Sequence, residues 1–247
     1  MLTSKEQLRY SRQIMLNNIG EQGQLSLSEA KVLIVGVGGL GNPVSMYLAA
    51  AGVGTLYLAD GDNIEITNLQ RQVLFNEKDI DLNKADVAAE KLQQQNPEVT
   101  IEVIDEMLDK ELCDYYVNQV DCVLDCSDNI ATRYLINQSC IEHKVPLVVG
   151  AATGFDGQQL VVDPREPTSA CYQCLFPASE KAPANNCQTI GIIGPVLAIV
   201  AGMQSLQAIK LLTGNKVQLN QLSLFDGLAN QWQQFNLKKQ DNCPVCS

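Results

Sequence analysis

The run Lys31-Val32-Leu33-Ile34-Val35-Gly36-Val37-Gly38-Gly39-Leu40-Gly41 decides how the chain is read. The apolar residues before Gly36 suit a short buried strand, and the glycines lead into Pro43 to Ala51, whose apolar spacing is helical. Strand, glycine turn and helix in that order aim backbone N–H groups from a positive helix N-terminus, where only glycine lets the backbone come close to a phosphate. Gly36, Gly38, Gly39 and Gly41 are therefore candidate nucleotide contacts. The bland alternative is a tight turn that binds nothing. Asp60 weighs against it: it follows the next apolar run, Thr55 to Ala59, about 20 residues on, where an acid reaches a ribose hydroxyl.

Upstream, Ser4 to Leu27 is patterned as a helical arm interrupted at Gly20 and Gly23. Downstream, Asp62 to Asn76 has no regular period and many hydrogen-bonding side chains, which marks a functional loop. Asn83 caps a helix running to about Gln95. Strand-like runs at Thr100 to Ile104, Cys122 to Asp125 and Leu147 to Gly150 then alternate with helical patterns at Asp109 to Gln119 and Ala131 to His143. That alternation predicts an α/β fold, a Rossmann-like, doubly wound, mostly parallel sheet. From Gln158 the rhythm changes to Gln158 to Val162 and Gln221 to Asp226, around the loop Asp163 to Thr189 and a buried apolar helix over Ile190 to Met203. These pieces read as C-terminal antiparallel strands extending the same sheet.

The 247 residues are 46% hydrophobic and carry a net charge of −11, enough for a sizeable core and too acidic for a nucleic-acid partner. Met1 to Arg12 has no apolar signal region, and the longest uncharged stretch is too short in its apolar part to span a membrane. A cytoplasmic location is expected.

Asn68, Gln70 and Arg71, with Lys84 at the next helix, suit a triphosphate whose charge grows on leaving pyrophosphate, although Arg71 or Lys84 taken singly reads as a solvated surface charge. Asp125-Cys126-Ser127-Asp128-Asn129 ends a strand on the ligand-binding side of an open sheet, so Asp128 is either a magnesium ligand or the cap of the helix that follows. Cys171-x-x-Cys174 and Cys243-x-x-Cys246 supply four thiolates for a closed, structural zinc site, with redox chemistry the alternative for either pair alone. Cys113, Cys122, Cys126 and Cys140 sit at apolar positions and read as core, while Cys187 lies in a loop where its thiol is a candidate nucleophile. His143 is the single histidine, which leaves hydrolytic triads without support.

Taken together, Arg9-Tyr10-Ser11-Arg12-Gln13, the glycine run, Asn68-Leu69-Gln70-Arg71-Gln72, Asp125-Cys126-Ser127-Asp128-Asn129 and the two cysteine pairs resemble, over essentially the whole chain, the ThiF/MoeB adenylyltransferases related to ubiquitin-activating enzymes. Asn186 to Pro195 is more similar to the ThiF branch, which serves thiamine biosynthesis, than to MoeB. The resemblance implies a homodimer that uses ATP with Mg2+ to adenylate the C-terminal glycine of a small ubiquitin-fold sulfur carrier ending in Gly-Gly, with a sulfur-donor protein acting later. It implies that Gly39 lies against the nucleotide, Asp60 holds the ribose, and Asn68, Arg71 and Lys84 contact phosphates. Asp128, with Asn129 beside it, would hold the magnesium, Arg12 would reach into the partner's site, and Cys187 would link to the activated carrier. The implied organisation is one adenylating domain: an arm over 1–28, a nucleotide-binding part over 29–150, and a carrier- and zinc-binding part over 151–247. A MoeB-like enzyme would do the same chemistry on the molybdopterin carrier. A nicotinamide-dependent oxidoreductase would leave Arg71 and Lys84 without a role, and a non-catalytic scaffold would have lost some phosphate contacts. A chain at −11 repels an acidic carrier at long range, so docking would rely on an apolar patch or local cations.

Overall fold

The structure, a computed structural model, describes residues 1–178 and 191–247. Its centre is one eight-stranded sheet in the order β3-β2-β1-β4-β5-β6-β7-β8. The strands are β1 (Lys31–Val35), β2 (Thr55–Ala59), β3 (Thr100–Ile104), β4 (Cys122–Asp125), β5 (Leu147–Thr153), β6 (Asp156–Val162), β7 (Gln221–Asp226) and β8 (Gln231–Asn236). β1 to β5 are parallel, and β6, β7 and β8 continue the sheet antiparallel. From β1 the chain winds outward to β2 and β3, then returns to β4 on β1's other side. The C-terminal ends of β1 and β4 therefore part around a crevice, the place where open α/β sheets bind ligands.

The apolar runs are continuous because both faces of the sheet are covered. Val32, Ile34, Leu56, Leu58, Leu124 and Val148 pack toward α4 (Gly41–Ala51), α5 (Lys84–Gln95) and α9 (Gly194–Leu212). Their strand neighbours Leu33, Val35, Val123, Leu147 and Val149 pack toward α6 (Lys110–Val117) and α7 (Ile130–His143), against which the short α8 (Tyr172–Leu175) lies. Cys113, Cys122, Cys126 and Cys140 are buried as expected, and burial pushes the thiols of Cys113 and Cys122 up to about 11 and about 12.

Three stretches differ from the sequence expectation. The arm is three helices, α1 (Ser4–Arg9), α2 (Ser11–Ile14) and α3 (Gly20–Glu29), because Tyr10 turns inward at the first break. Its hydroxyl accepts a hydrogen bond from Asn96 Nδ2 at 2.8 Å, and its ring fills the space over Gly52, where a Cβ would lie 2.4 Å from it. β8 was not expected, since Gln231-Trp232-Gln233-Gln234-Phe235-Asn236 has no continuous apolar face and is exposed throughout. The apolar helix starts and ends later than Ile190 to Met203, and its 19 residues are long and apolar enough to cross a membrane by composition. It instead lies on α4, β5 and β6, and the fully buried Gln204 donates from Nε2 to the carbonyls of Asp125 and Val148.

Candidate functional site

The glycine run forms the floor of the crevice. Gly36 has φ +88°, and a Cβ there would stand 2.9 Å from the carbonyl oxygen of Cys126, so β1 can leave the sheet beside the β4–α7 loop only without a side chain. Gly41 is tighter: a Cβ would sit 1.9 Å from the Gly36 carbonyl oxygen, over which α4 begins. Asn42 lies next to it, fully buried, donating from Nδ2 to the Val37 carbonyl at 2.6 Å and accepting from the Leu74 N–H at 2.9 Å. One side chain thus ties the glycine loop to the irregular loop after β2.

Asp60 follows the second strand and its carboxylate is engaged on both oxygens, accepting from Val37 N–H at 2.7 Å and from Asp62 N–H at 3.0 Å. Burial raises its pKa, opposed by the Lys84 charge and by those two N–H groups. Asn83 caps α5 as expected, accepting from Ala85 and Asp86 N–H, and donates to the Asp60 carbonyl. Lys84, 7% exposed, points its ammonium at Asp62 Oδ2, 2.8 Å away. Asn68 is buried with its Oδ1 on the Glu65 N–H, and Arg71 Nη1 donates to the Thr67 carbonyl at 2.7 Å.

Between α4, α5 and α7 these residues border a cavity of about 1110 Å³. Gly36, Gly38, Gly39, Asp60, Asn68, Arg71, Lys84, Asp128 and Asn129 all line it, so most of the residues picked from sequence meet in one place. Gly39 is also where the loop leans on α9, since its missing Cβ would fall 2.7 Å from Leu197 Cδ1. Gln70, Gly41 and Arg12 are not among the lining residues. Gln70 faces solvent and Gln72, 3% exposed, takes its place. Arg12 is exposed on α2. Cys187 falls within residues 179–190, outside the described residues. The helix cap after β4 is Asn129, whose Oδ1 accepts from Ala131 and Thr132 N–H, so Asp128 is not that cap.

The cavity runs on past the glycine loop over the antiparallel strands, where Thr153, Asp156, Gln158, Leu224 and Gln233 line it. The part of the cavity over the glycine loop thus opens directly onto the part over the antiparallel strands. Sequence reasoning missed Arg133, which reaches the cavity from the first turn of α7, and Asn42 and Gln72. The one available signal for Asn42 was a lone polar residue in the otherwise apolar first turn after Gly41.

The four paired cysteines converge beside the first half of α7, where Asn137 accepts the Tyr172 N–H. Sγ separations are 3.9 Å for Cys171 and Cys174, 3.6 Å for Cys171 and Cys243, and 3.4 Å for Cys174 and Cys246, and all four lie within 4.8 Å of one another. Four thiolates about 2.3 Å from a tetrahedral zinc would stand about 3.8 Å apart, so the cluster is compatible with that ion. At Cys243 burial opposes the charge, yet the N–H groups of Val245 and Cys246 bring the thiol down to about 7. The backbone N–H of Gln240 donates to Cys174 Sγ at 3.4 Å, the kind of outer contact that steadies a bound thiolate.

The chain matches the ThiF family over residues 10–245. It is 44% identical to the sulfur carrier protein ThiS adenylyltransferase of Escherichia coli (strain K12), covering 99% of this chain and 97% of that one. It is 41% identical to the adenylyltransferase and sulfurtransferase MOCS3 of Culex quinquefasciatus, and spans only 56% of that longer protein. Among solved structures it resembles E. coli MccB with MccA-N7isoASN at TM-score 0.85 and 27% identity, covering 97% of this chain and 75% of MccB. MccB with ATP aligns over the same share of this chain and 74% of MccB, with TM-score 0.81 and 27% identity.

Proposed function

Because the chain belongs to the ThiF family, we propose that it transfers AMP from ATP to the C-terminal glycine carboxylate of a small ubiquitin-fold sulfur carrier, for thiamine thiazole synthesis in the cytoplasm. The observation that carries this reading is the joining of one cavity from two halves: a glycine loop ringed by Asp60, Arg71, Lys84 and Asp128, and an open groove over β5 to β7. Such a cavity seats a nucleotide and a polypeptide tail side by side, so that reaction between them becomes effectively unimolecular.

Asp60 and the glycine loop position the nucleoside, and Asn68 orients the phosphates. Arg71 and Lys84 place positive charge where pyrophosphate departs, and stabilise charge as it develops there. The Lys84 ammonium sits against Asp62, whose carboxylate is 67% exposed, so it is held ready at the cavity wall without being deeply neutralised. The Asp128 carboxylate lines the cavity and does not serve as a cap, which suits Mg2+, an ion usually held by one or two carboxylates plus substrate phosphates. Magnesium bound there would neutralise phosphate charge. No general base is required, since the attacking group is already a carboxylate.

The homodimer belongs to the same proposal. Arg12 is exposed outside its own cavity, and α9 presents Ile199 and Leu206 to solvent, features a second copy would use. In this reading Cys187 takes over the activated carrier before a sulfur-donor protein acts, and zinc holds the 171–174 and 243–246 segments together.

Incubation with ATP, Mg2+ and each purified carrier, followed by weighing the carriers by mass spectrometry, tests the proposal. A gain of one AMP on the thiamine carrier supports it. Modification of the molybdopterin carrier alone would replace it with the MoeB-like alternative.

A further inference from the structure

Among the described residues no hydrogen bond or ion pair anchors the Asp128 carboxylate, but both its neighbours are held. Asn129 caps α7, and the carbonyl of Ser127 accepts a hydrogen bond from Arg133 Nη2. Arg133 is 6% exposed, and its Nη1 stands 3.7 Å from Oδ2 of Asp125, which is itself fully buried. Oδ1 of Asp125 accepts from the Ser127 N–H at 3.0 Å and its hydroxyl at 2.6 Å. Neither Arg133 Nη1 nor Asp125 Oδ2 has a hydrogen-bond partner among the described residues. An ion pair this deep that does not close its second hydrogen bond adds little stability, because desolvation of two charges is not recovered. It does fix geometry: one planar guanidinium grips the strand end and the loop that leads to Asp128.

The far side of Arg133 is also built. The ring of Tyr172, inside the first cysteine pair, lies 5.9 Å from Tyr134 and 4.9 Å from Phe176, with its hydroxyl beside the Arg133 charge. One turn along α7, Asn137 Oδ1 accepts the Tyr172 N–H at 2.8 Å. Successive turns of one helix thus hold the cysteine cluster and the loop after β4.

We propose that Arg133 is a positioning residue: clamped between Asp125 and Ser127, it sets where the Asp128 carboxylate stands over the glycine loop, and so sets the affinity for magnesium with ATP. This deepens the adenylation reading and rests on it for the role of Asp128.

The test is a Mg2+ titration of ATP binding by calorimetry on the full chain, with thermal midpoints measured in parallel. Arg133→Gln leaves the Asp125 charge alone in the interior and lowers the midpoint. The double variant Asp125→Asn with Arg133→Gln removes both charges and recovers it. Both should raise the Mg2+ half-saturation by about 10- to 100-fold while affinity for metal-free ATP stays within about threefold. A double variant with wild-type half-saturation overturns the assignment, as does an equal loss with and without metal, which would make Arg133 a direct nucleotide contact. Wild-type protein that binds ATP with Mg2+ but modifies no carrier would sink the proposed reaction, and the same titration would still judge Arg133.

Discussion

The Val37 N–H donates to Oδ2 of Asp60 at 2.7 Å, so the carboxylate that follows β2 shapes the glycine loop of β1 before any ligand arrives. Its other oxygen is held by Asp62, which leaves the group buried, ionisable and without freedom to turn.

A pH dependence follows from this. Burial raises the Asp60 pKa in the folded chain above the ordinary 3.8, so as pH falls the folded state binds the proton before the unfolded state does. This group's contribution to stability is therefore fully present in acid and is lost as pH rises through the window above 3.8. Asp60→Asn should remove that component. Urea midpoints compared between about pH 4 and pH 6 would show it, and parallel slopes for variant and wild type would refute it.

The glycines separate by role. Gly41→Ala forces a Cβ to within 1.9 Å of the Gly36 carbonyl oxygen and should cost roughly 3 kcal/mol or more of stability, read as a lost or lowered unfolding transition. At Gly38 a Cβ meets only Gln72 Nε2 at 3.4 Å, so Gly38→Ala should fold and fail in ATP binding. Equal unfolding of the two variants would show that neither position is reserved for a ligand.

Arg71→Ala and Lys84→Ala should each lower kcat for carrier adenylation by about 10²- to 10³-fold, because in the proposed reaction both charges act where negative charge develops. Arg71→Lys should not restore the rate, since a single ammonium cannot donate to the Thr67 carbonyl and keep a fork for phosphate as Arg71 does. Single-turnover rates at saturating ATP are the measurement.

Removal of metal by a strong chelator, or Cys243→Ser, should release the 243–246 turn from Cys171 and Cys174 and lower stability by about 4 kcal/mol. For a domain of this size that is roughly 8–16 °C in thermal midpoint. Metal analysis should find one zinc per chain before treatment, and a full midpoint with no metal present would count against a structural ion.

The central parallel strands β1, β4 and β5 were legible because both their faces are largely buried, and an apolar run ended by glycine or aspartate says so locally; β3, at the sheet edge, showed only alternation. β8 was not legible, because its stability comes from pairing with β7 while half of its own residues are glutamine. The end of α9 was misplaced for a related reason. Gln204 interrupts an apolar run, yet it is fully buried and bonded to two strand carbonyls, a pairing that only the folded sheet reveals. At the site, residue type and strand-end position exposed Asp60, Arg71, Lys84 and Asp128. Gln72 lines the cavity while Gln70 faces solvent, because the turn through Ile66–Asn68 and beyond decides which amide faces inward. Arg133 stayed hidden because a basic residue in the first turn of a helix ordinarily reads as surface.

The pairing of β1 with β4 brings Val32 beside Cys122 and Val35 beside Asp125 across most of the first half of the chain. Contacts so distant in sequence form late and slowly, after the cost of closing a long loop has been met. During synthesis the glycine run therefore leaves the ribosome long before the strand that completes its crevice. A nascent chain that stops short of Asp125 can pair β1, β2 and β3 but lacks the second wall of the crevice, so under the proposed function ATP would not template the early steps of folding and would stabilise only molecules that have already closed the centre of the sheet.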